Sequence, residues 1–384
     1  MRPWGGPGPL ATCGILLGFA CNPTADTGTP AETPADDQSS TTTYPWLTDD
    51  AGGVLILHGA NIDGSAKNTA DHMPRQSRED IARMTDDWGW NHARFLLLWE
   101  ALEPEPGQYD AAYLDRVEER LDWFAEMQVW VVLDMHQDVY ARRFCCDGAP
   151  EWAIRDDGQP YTPQSQWFLN YFQPAVVRSF DNFWLYTDGD HADLQDHYMD
   201  AWAEVARRFG DHPAVLGYDL MNEPSPGSMG DGIELLGTEN LTGPHPEFDQ
   251  TRLQPFYQRT IERIREVDTD SWIFLEPRYG APANGLLSYM GTLDDPREGG
   301  DRLAAYPHLY SISLEATGRY DVDNNHTVAD WEQARTTERA QQAMPLAIGE
   351  WGLAQGTENV GPFMLDVLNM ADRMMAGWAY SRPV

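Results

Sequence analysis

A short apolar run, Leu216-Gly217-Tyr218-Asp219-Leu220-Met221-Asn222-Glu223-Pro224, ends in a carboxylate, and a second run, Leu346-Ala347-Ile348-Gly349-Glu350-Trp351, repeats this pattern later in the chain. Each run is typical of a buried strand that gives way to a loop at its glutamate. If both strands belong to one parallel barrel, their C-terminal ends open on the same face. The two runs therefore predict an α/β fold, a (β/α)8 TIM barrel, in which Glu223 and Glu350 face each other.

Two glutamates placed in this way are the apparatus of glycoside hydrolysis, in which one carboxyl group acts as acid and base and the other as nucleophile. A lone Asn-Glu-Pro more often marks a strand that ends in a solvated glutamate. The second run is what favours a catalytic pair. Glu276, which ends another apolar run before Pro277, is a third carboxylate that the residues alone leave open as a member of the pair.

From residue 44 onward, apolar strand-like runs alternate with amphipathic helical stretches, which is typical of a parallel α/β architecture. The eight predicted strands are Val54–His58, Ala93–Trp99, Val129–Met135, Val215–Met221, Trp272–Glu276, Ala305–Tyr310, Pro345–Gly349 and Ala376–Tyr380. The predicted helices are Ser77–Trp88, Ala111–Met127, Gln195–Phe209, Leu253–Val267, Val328–Gln342 and Phe363–Met374. This pattern favours the barrel, although a doubly wound open sheet has the same local signals and would place the site at a crossover crevice.

The eighth predicted strand is followed by only four residues, Ser381 to Val384. The barrel is therefore predicted to be truncated after this strand, without a closing helix. Because the outer helices of a barrel cover apolar faces of its strands, we expect apolar surface to be exposed between the first and seventh helical elements.

The composition narrows the classes of partner. A chain of 384 residues with a hydrophobic fraction of 42% suits one large domain with a sizeable core. The formal net charge of −35 argues against nucleic acid and anionic membrane surfaces as electrostatic partners, and it favours neutral ligands such as sugars. Lys67, the only lysine, lies just after the first predicted strand and is either a functional residue or a chance survivor on the surface.

The N-terminal segment predicts export. Residues 1–21 combine an early arginine with a short apolar core, as secretory signals do, and Cys21 ends a bacterial lipobox-like sequence in which it would carry lipid. Residues 22–43 are rich in Thr, Pro, Ala, Asp and Ser and are predicted to be a disordered tether to the barrel domain, residues 44–384. We therefore expect a secreted protein or an outer-surface lipoprotein of a bacterium, attached to the membrane through Cys21.

A charge inside a buried strand marks another candidate residue. Arg94 lies in an otherwise apolar run, so we expect it to pair with a carboxylate in the barrel mouth and to hold that carboxylate ionised. The alternative is an arginine that reaches solvent at the strand end. On the sixth predicted strand, alternation places His308 and Tyr310 on one face, where the tyrosine hydroxyl would hydrogen-bond the nucleophile. His308 by itself is as often a structural residue.

Alternation after the third predicted strand would send Asp134, His136 and Asp138 to the same side. Such a triplet could hydrogen-bond sugar hydroxyls or form a metal site. Two carboxylates and one histidine without a second cluster are a weak metal signal, and the cysteine and histidine spacings show no zinc pattern. No metal or other cofactor is therefore expected.

The adjacent cysteines Cys145 and Cys146 have two interpretations. They form a vicinal disulfide in an oxidising compartment, or they are two free thiols in a loop. The sequence leaves both open.

Three further motifs narrow the function. Residues 133–140 read Leu-Asp-Met-His-Gln-Asp-Val-Tyr, residues 148–152 read Gly-Ala-Pro-Glu-Trp, and residues 180–184 read Phe-Asp-Asn-Phe-Trp. With the strand ends described above, they make the chain resemble glycoside hydrolase family 5, whose members are retaining (β/α)8 enzymes. Within that family it is most similar to the endoglycoceramidases, which cut the bond between an oligosaccharide and ceramide.

The resemblance implies a role for each site residue. Glu223 would be the acid/base, Glu350 the nucleophile and Asn222 the donor to the sugar 2-hydroxyl. Residues supporting the carboxylates would be Arg94, His136, His308 and Tyr310. Residues contacting the glycan would be Lys67, Asp134, Asp138 and Trp184. For this chemistry near neutral pH, the pKa of Glu223 must be raised by its carboxylate neighbour, and that of Glu350 lowered by Arg94 and Tyr310.

The chain departs from the family pattern at its C-terminal end. The eighth strand usually ends in a tryptophan under the sugar, but here Tyr380 is followed by Ser381. The eighth helix and C-terminal β-sandwich of full-length members are lacking in the predicted fold. Two alternatives to hydrolysis of glycosphingolipids therefore stay open. One is a β-1,4-glycanase of the same family, resembling a cellulase or mannanase, and the other is a non-catalytic glycan-binding surface lipoprotein.

Ceramide also needs an apolar seat. The candidate segments are Trp167–Phe172 and Gly232–Leu236, which lie in long excursions between predicted elements, although both also suit ordinary loop packing. A glycosphingolipid or another β-glycan is the expected partner, and the sequence does not predict the oligomeric state.

Overall fold

The structure is a computed structural model that describes residues 45–381 except 63, 186–192, 231–245, 281, 311–313, 315–316, 324–325 and 355. Its strands are β1 (His58–Ile62), β2 (His92–Leu98), β3 (Trp130–His136), β4 (Val215–Asp219), β5 (Trp272–Leu275), β6 (Leu303–Ala305), β7 (Ala347–Trp351) and β8 (Gly377–Tyr380). They form one sheet in the order β6-β5-β4-β3-β2-β1-β8-β7.

All of the strand pairs are parallel, and β1 pairs with both β2 and β8. The remaining gap, between β6 and β7, is spanned by two parallel bridges, from Ala305 to Leu346 and from Leu309 to Trp351. The sheet is therefore a nearly closed barrel. This confirms the predicted (β/α)8 fold and rules out the doubly wound open sheet, whose two edges would stay apart.

Two predicted strands are displaced along the chain. The first was expected at Val54–His58, but β1 begins at His58, because the apolar run before it pairs with the N-terminal segment, where the Leu55 N–H donates to the Leu47 carbonyl. The sixth was expected at Ala305–Tyr310, but β6 ends at Ala305. Pro307 lacks an N–H and cannot continue a ladder, so only the single bridge at Leu309 follows.

The helices around the sheet are α1 (Arg78–Asp86), α2 (Ala111–Glu126), α3 (Pro174–Trp184), α4 (Asp193–Phe209), α5 (Gln254–Arg265), α6 (Thr327–Gln342) and α7 (Val360–Met374). Local signals explain where they begin. Ser77 and Asp80 form a capping box at α1, and the Asp110 side chain accepts hydrogen bonds from the first N–H groups of α2. All six predicted helices are present, with ends shifted by at most three residues, whereas α3 and the short helices Trp99–Leu102 and Pro246–Phe248 are additional.

The core has two layers. Between the sheet and the helices, alternate strand residues such as Phe95 and Leu97 pack with helix residues such as Phe124. A separate cluster joins residues of several strands, namely Leu57, Val132, Leu216, Trp272, Phe274, Ala304, Tyr306 and Ala347. β4 and β5 approach so closely at Gly217 that a Cβ there would lie 2.0 Å from the Trp272 carbonyl oxygen. This contact draws together the strand ends that carry Glu223 and Glu276.

The long connection after β3 contains a 3₁₀ segment, Trp167–Phe172, and a disulfide between Cys145 and Cys146. Of the two interpretations of these cysteines, the structure therefore supports the vicinal disulfide. None of the described helices is long and apolar enough to cross a membrane. The predicted signal peptide, Cys21 and the tether lie outside the described residues, as does the segment Gly232–Leu236.

Large apolar side chains are exposed on the outer face near β8. Trp88, just after α1, is 53% exposed, and Leu365 on α7 is 61% exposed. Trp90 links Trp88 to Trp378 of β8, with ring centroids 4.8 Å and 5.8 Å apart.

Candidate active site

Glu350 lies in β7 with its side chain mostly buried. Its Oε1 accepts a hydrogen bond of 2.6 Å from Arg94 Nη1, and its Oε2 accepts one of 2.9 Å from the Tyr310 hydroxyl. Burial alone would raise the pKa of Glu350, but the surrounding cations outweigh burial and hold the pKa at about 2. These cations are His308, Arg94, His136 and Lys67. Glu350 is therefore ionised, as a nucleophile must be.

Glu223 follows β4, and its pKa is shifted in the direction opposite to that of Glu350. Its Oε1 lies 2.9 Å from His308 Nδ1. Burial raises the pKa of Glu223, and the carboxylates of Glu350 and Glu276 raise it further against the opposing charge of His308. A raised pKa suits a general acid, which must carry a proton when it reacts. The predicted direction is correct, but burial is a larger cause than the carboxylate neighbour.

Arg94 is fully buried and joins the two strand ends. Its guanidinium donates at 2.6–2.9 Å to side-chain oxygens of Asp219, Asn61, Glu350, Asn222 and Glu276. Asp134 Oδ1 also lies 3.0 Å from Nη2, outside hydrogen-bond alignment. The predicted pairing of Arg94 with a carboxylate is confirmed, and the alternative of a solvent-reaching arginine is wrong.

A second group of charged residues lies beside the groups that contact Arg94. His136 Nδ1 is 2.6 Å from Asp134 Oδ2, and His136 Nε2 is 3.5 Å from Asp138 Oδ2. Lys67 forms an ion pair with Asp138. Burial and Lys67 oppose protonation of His136, but its two carboxylate partners raise its pKa to about 10. The three alternating residues therefore act as one unit, with Lys67 at its outer end.

The metal interpretation of this unit fits the structure poorly. His136, Asp138 and Asp147 each bring a donor atom within 4.8 Å of the others. A histidine must be neutral to bind a metal, whereas His136 is held protonated. Asp138 already carries the Lys67 ammonium. The unit is better suited to hydrogen-bonding hydroxyl groups.

Asn222 and Gln137 lock the loop that carries Glu223. Asn222 Nδ2 donates to the Gln137 carbonyl at 2.9 Å, and Gln137 Nε2 donates to the carbonyls of Asn222 and Glu223 at 2.9 and 3.0 Å. Asn222 is thereby fixed next to Glu223, where the resemblance places it.

Trp184 was expected to contact glycan, and the structure contradicts this. Its side chain is 3% exposed and packs edge-on against Phe248 and Phe256. Its indole Nε1 donates to the Ser225 carbonyl at 2.8 Å. Trp184 is therefore a core residue that supports the loop after Glu223.

The end of β8, where the sequence departs from the family pattern, lies against the site. The Ser381 N–H donates to the Trp351 carbonyl at 2.9 Å, and Tyr380 packs on the Trp351 ring. The Ser381 side chain hydrogen-bonds Tyr310, the residue that donates to Glu350. A serine therefore neighbours the nucleophile's tyrosine.

Sequence reasoning missed four residues of the site. Asp219 is a charge within an apolar strand, the same signal that singled out Arg94, and Gln137 lies inside a motif that was already recognised. Asn61 was missed because the first strand was placed too early. Asp147 carries no local signal: it lies in a loop, its buried oxygens have no hydrogen-bond partner among the described residues, and burial raises its pKa to about 6.

Comparisons with known proteins identify the family. The sequence profile described as cellulase (glycosyl hydrolase family 5) matches residues 55–382. Endo-glycoceramidase II from Rhodococcus sp., solved as a ganglioside GM3 complex, superposes with a TM-score of 0.81 and 39% identity, over 88% of this chain and 76% of that chain. Its lactosyl-enzyme intermediate superposes with a TM-score of 0.78 and 40% identity, over 88% and 74% of the two chains.

Curated relatives point the same way. Endoglycoceramidase from Cyanea nozakii is 28% identical over 258 residues, which is 60% of this chain and 49% of that protein. Endoglycoceramidase I from Rhodococcus hoagii is 30% identical over 234 residues, which is 60% of this chain and 44% of that protein. The chain thus spans about half the length of the curated relatives it matches. Because the profile covers nearly the whole barrel, the chain belongs to glycosyl hydrolase family 5.

Proposed function

We propose that this protein is a retaining glycosidase that cleaves the β-glycosidic bond between glycan and ceramide in glycosphingolipids. The observation that carries the proposal is the contrast between two buried glutamates: nearby cations, led by His308 and Arg94, lower the pKa of Glu350 to about 2, whereas burial raises the pKa of Glu223. One site thus holds both a nucleophile and an acid, which retaining hydrolysis requires. A non-catalytic glycan-binding protein would not need two glutamates whose pKa values are shifted in opposite directions.

Hydrolysis then proceeds in two steps. Glu350 attacks the anomeric carbon while Glu223 gives its proton to the leaving ceramide oxygen, so that the glycan becomes covalently attached to Glu350. Glu223, now a carboxylate, takes a proton from water as the water displaces Glu350 from the sugar. The similar Rhodococcus enzyme has been solved as a lactosyl-enzyme intermediate, which supports a covalent step here.

The glycan would bind on the side of the unit formed by Lys67, Asp134, His136 and Asp138. Its charged groups are held by one another, and Lys67 keeps ammonium hydrogens available beyond its bond to Asp138. Sugar hydroxyls both donate and accept, so a mixed set of cations and carboxylates suits them. Asn222 is fixed at the junction with Glu223 and would donate to the sugar 2-hydroxyl.

The ceramide would leave on the side of Glu223, and an aromatic segment lies there. Tyr279 donates its N–H to the carbonyl of Pro224, the residue after Glu223. Tyr171 stacks on Tyr279 with ring centroids 4.6 Å apart, and Trp167, 45% exposed, packs on Tyr171. An exposed tryptophan near the acid offers apolar contact to a lipid leaving group, which supports the segment Trp167–Phe172 as part of the apolar seat.

We further propose that the protein is exported and that Cys21 carries lipid, which would hold the enzyme at a membrane surface. The support is the sequence pattern of residues 1–21 alone. Mass analysis of the mature N-terminus would test this, since acylated Cys21 as the first residue is the expected result.

The decisive experiment offers the protein lactosylceramide, a GM3-type ganglioside, a cello-oligosaccharide and a mannan, with Glu350→Gln as the inactive control. We expect mass spectrometry to show intact oligosaccharide and ceramide, and NMR to show the β-anomer as the first sugar product. Cleavage of the polysaccharides without the glycolipids would make the protein a β-glycanase. Trp167→Ala should weaken glycolipid hydrolysis and leave hydrolysis of a small aryl lactoside unchanged.

A further inference from the structure

We propose that Glu276 is a positioning residue that holds the acid/base Glu223 in its working orientation. This inference rests on the proposed role of Glu223. Glu276 follows β5, is 1% exposed, and contacts both the backbone of Glu223 and the imidazole that faces the Glu223 carboxyl group. No step of the hydrolysis described above uses Glu276.

The first contact fixes the Glu223 backbone. Glu223 has a φ of +43°, a left-handed conformation that is strained for a non-glycine residue. Glu276 Oε2 accepts a hydrogen bond of 2.9 Å from the Glu223 N–H, while Gln137 Nε2 donates to the Glu223 carbonyl. The strained residue is therefore held at both of its peptide groups.

The second contact fixes the imidazole. His308 Nε2 lies 3.0 Å from Glu276 Oε1, and His308 Nδ1 lies 2.9 Å from Glu223 Oε1. The Nε2–H direction is not aligned for a hydrogen bond, so the attraction between His308 and Glu276 is ionic. Burial opposes the charge on His308, yet Glu276 and Glu350 raise its pKa well above the usual value. Glu276 thus keeps a cation beside the carboxyl group of Glu223.

Glu276 is unsuited to being the nucleophile or the acid itself. Its Oε1 accepts from Arg94 Nη2 at 2.9 Å, its Oε2 accepts from Glu223, and its carbonyl accepts from the Tyr257 hydroxyl. Burial raises its pKa, but His308 and Arg94 outweigh burial and keep the pKa low. A carboxylate without a proton cannot donate one, and the Glu276 side chain is only 2% exposed, against 13% for Glu350, so it is closed to a sugar. This removes the third carboxylate from the candidates for the catalytic pair.

The nucleophile does not depend on Glu276 in the same way. Arg94 reaches Glu350 through Nη1 and Glu276 through Nη2. Asp219 holds Nε, and Asn61 shares Nη1, so Arg94 keeps its orientation without Glu276. Loss of Glu276 should therefore impair proton transfer by Glu223 more than attack by Glu350.

The test is Glu276→Gln. A glutamine has one oxygen and one amide nitrogen, so in either orientation it sets an N–H against the Glu223 N–H or against Arg94 and His308. We expect kcat on phenyl β-lactoside, whose leaving group needs a proton, to fall roughly 100-fold. On 2,4-dinitrophenyl β-lactoside, which needs none, kcat should stay within about threefold of the wild type. KM should change little on either substrate.

Glu338→Gln is the matched control. Glu338 is also buried and also accepts from a backbone N–H, that of Ser288, and from an arginine, Arg335. It should slow both substrates by the same small factor. Labelling of Glu350 by a 2-deoxy-2-fluoro lactoside with an activated leaving group should persist in Glu276→Gln, which shows that the site is folded.

Equal losses of kcat on the two aryl lactosides in Glu276→Gln would overturn the proposal, as would loss of labelling. A wild-type protein that cleaves aryl lactosides but not lactosylceramide would overturn only the glycolipid substrate, because the aryl comparison involves no lipid. The two proposals can thus fail separately.

Discussion

The ends of β4 and β7 both carry a glutamate, but the pKa values of these two glutamates are shifted in opposite directions. At the end of β7, Glu350 accepts hydrogen bonds from Arg94 and Tyr310, and its pKa lies at about 2. At the end of β4, the Glu223 carboxyl group contacts His308, and burial, with a smaller effect from the Glu350 and Glu276 carboxylates, raises its pKa. Both side chains are mostly buried. Their pKa values differ because different charged and polar groups face each side chain.

The difference between the two pKa values is set by residues that do not take part in the reaction. Two opposite charges about 4 Å apart attract by roughly 4 kcal/mol at an effective dielectric constant of 20, which corresponds to about three pKa units. Arg94 supplies this attraction directly to Glu350. His308 lies 2.9 Å from Glu223 and 3.0 Å from Glu276, but its charge also lowers the pKa of Glu350, so it does not favour Glu223 over Glu350. Substitutions at Glu350 and its partners should therefore impair nucleophilic attack, whereas substitutions at Glu223 and its partners should impair proton transfer.

Glu350→Gln should give the largest effect. The amide that replaces the carboxylate cannot form the covalent glycosyl-enzyme, so turnover should fall by roughly 10⁴-fold or more on every substrate. Steady-state hydrolysis of lactosylceramide and of an activated aryl lactoside would measure the loss. Retention of most activity would place the nucleophile elsewhere in the chain.

Glu223→Ala should give a smaller loss that depends on the leaving group. General acid–base catalysis contributes typically 10²–10⁴-fold, so hydrolysis of glycolipid should fall by about that factor. Formation of the glycosyl-enzyme from 2,4-dinitrophenyl lactoside should survive, and azide should speed its breakdown by replacing the water that Glu223 activates. If the variant loses equally on both substrates and azide has no effect, Glu223 is not the acid/base.

These roles were only partly predictable from sequence. Arg94, Glu223 and Glu350 stand out because each is a charge within or at the end of an apolar run, a local pattern that burial makes meaningful. The state of each glutamate is not local. It depends on pairs such as His308 with Glu223 and Glu276 with the Glu223 N–H, which are far apart in the chain.

The errors in the predicted fold have the same origin. The helices were placed well, because amphipathic periodicity and capping residues are local. β1 was placed too early because its own sequence, His58-Gly59-Ala60-Asn61-Ile62, is less apolar than the run before it. Asn61 is polar there because it binds Arg94. Trp184 was misassigned because its sequence motif does not say which side of α3 it faces, and that side is the core.

Tyr310→Phe should narrow the difference between the pKa values of Glu350 and Glu223. It removes the hydroxyl that donates to Glu350 Oε2, and a hydrogen bond to a charged group contributes about 1.5–3 kcal/mol, so kcat/KM should fall roughly tenfold. The charged form loses a donor, so the pKa of Glu350 rises, and the acidic limb of the pH profile moves to higher pH. The basic limb, which reports loss of the Glu223 proton, should stay in place.

Tyr320→Phe is the control for this change, since the Tyr320 hydroxyl donates to Asp366, away from the site. It should leave both limbs of the pH profile where they are in the wild type. If Tyr310→Phe moved the basic limb instead of the acidic one, Tyr310 would be acting on Glu223 rather than on Glu350.

The smallest expected effect on catalysis is that of Asp147→Asn. This variant tests whether two carboxyl groups near Lys67, those of Asp147 and Asp138, also have pKa values shifted in opposite directions. Burial raises the pKa of Asp147 to about 6, whereas Lys67 and His136 outweigh burial and lower the pKa of Asp138. Because the folded state holds the Asp147 proton more tightly than an unfolded Asp does (pKa about 3.9), ionising Asp147 costs stability as pH rises from about 4 to 6. Two pKa units correspond to about 3 kcal/mol.

An asparagine cannot ionise, so Asp147→Asn should raise the free energy of unfolding at pH 7.5 by up to about that amount and leave it nearly unchanged at pH 4. Urea unfolding at the two pH values would measure this. Asp138→Asn should do the reverse at pH 7.5, because it breaks the ion pair with Lys67. A loss of stability in Asp147→Asn at pH 7.5 would mean that Asp147 is ionised there and stabilised by Lys67, which would make the two loop aspartates alike.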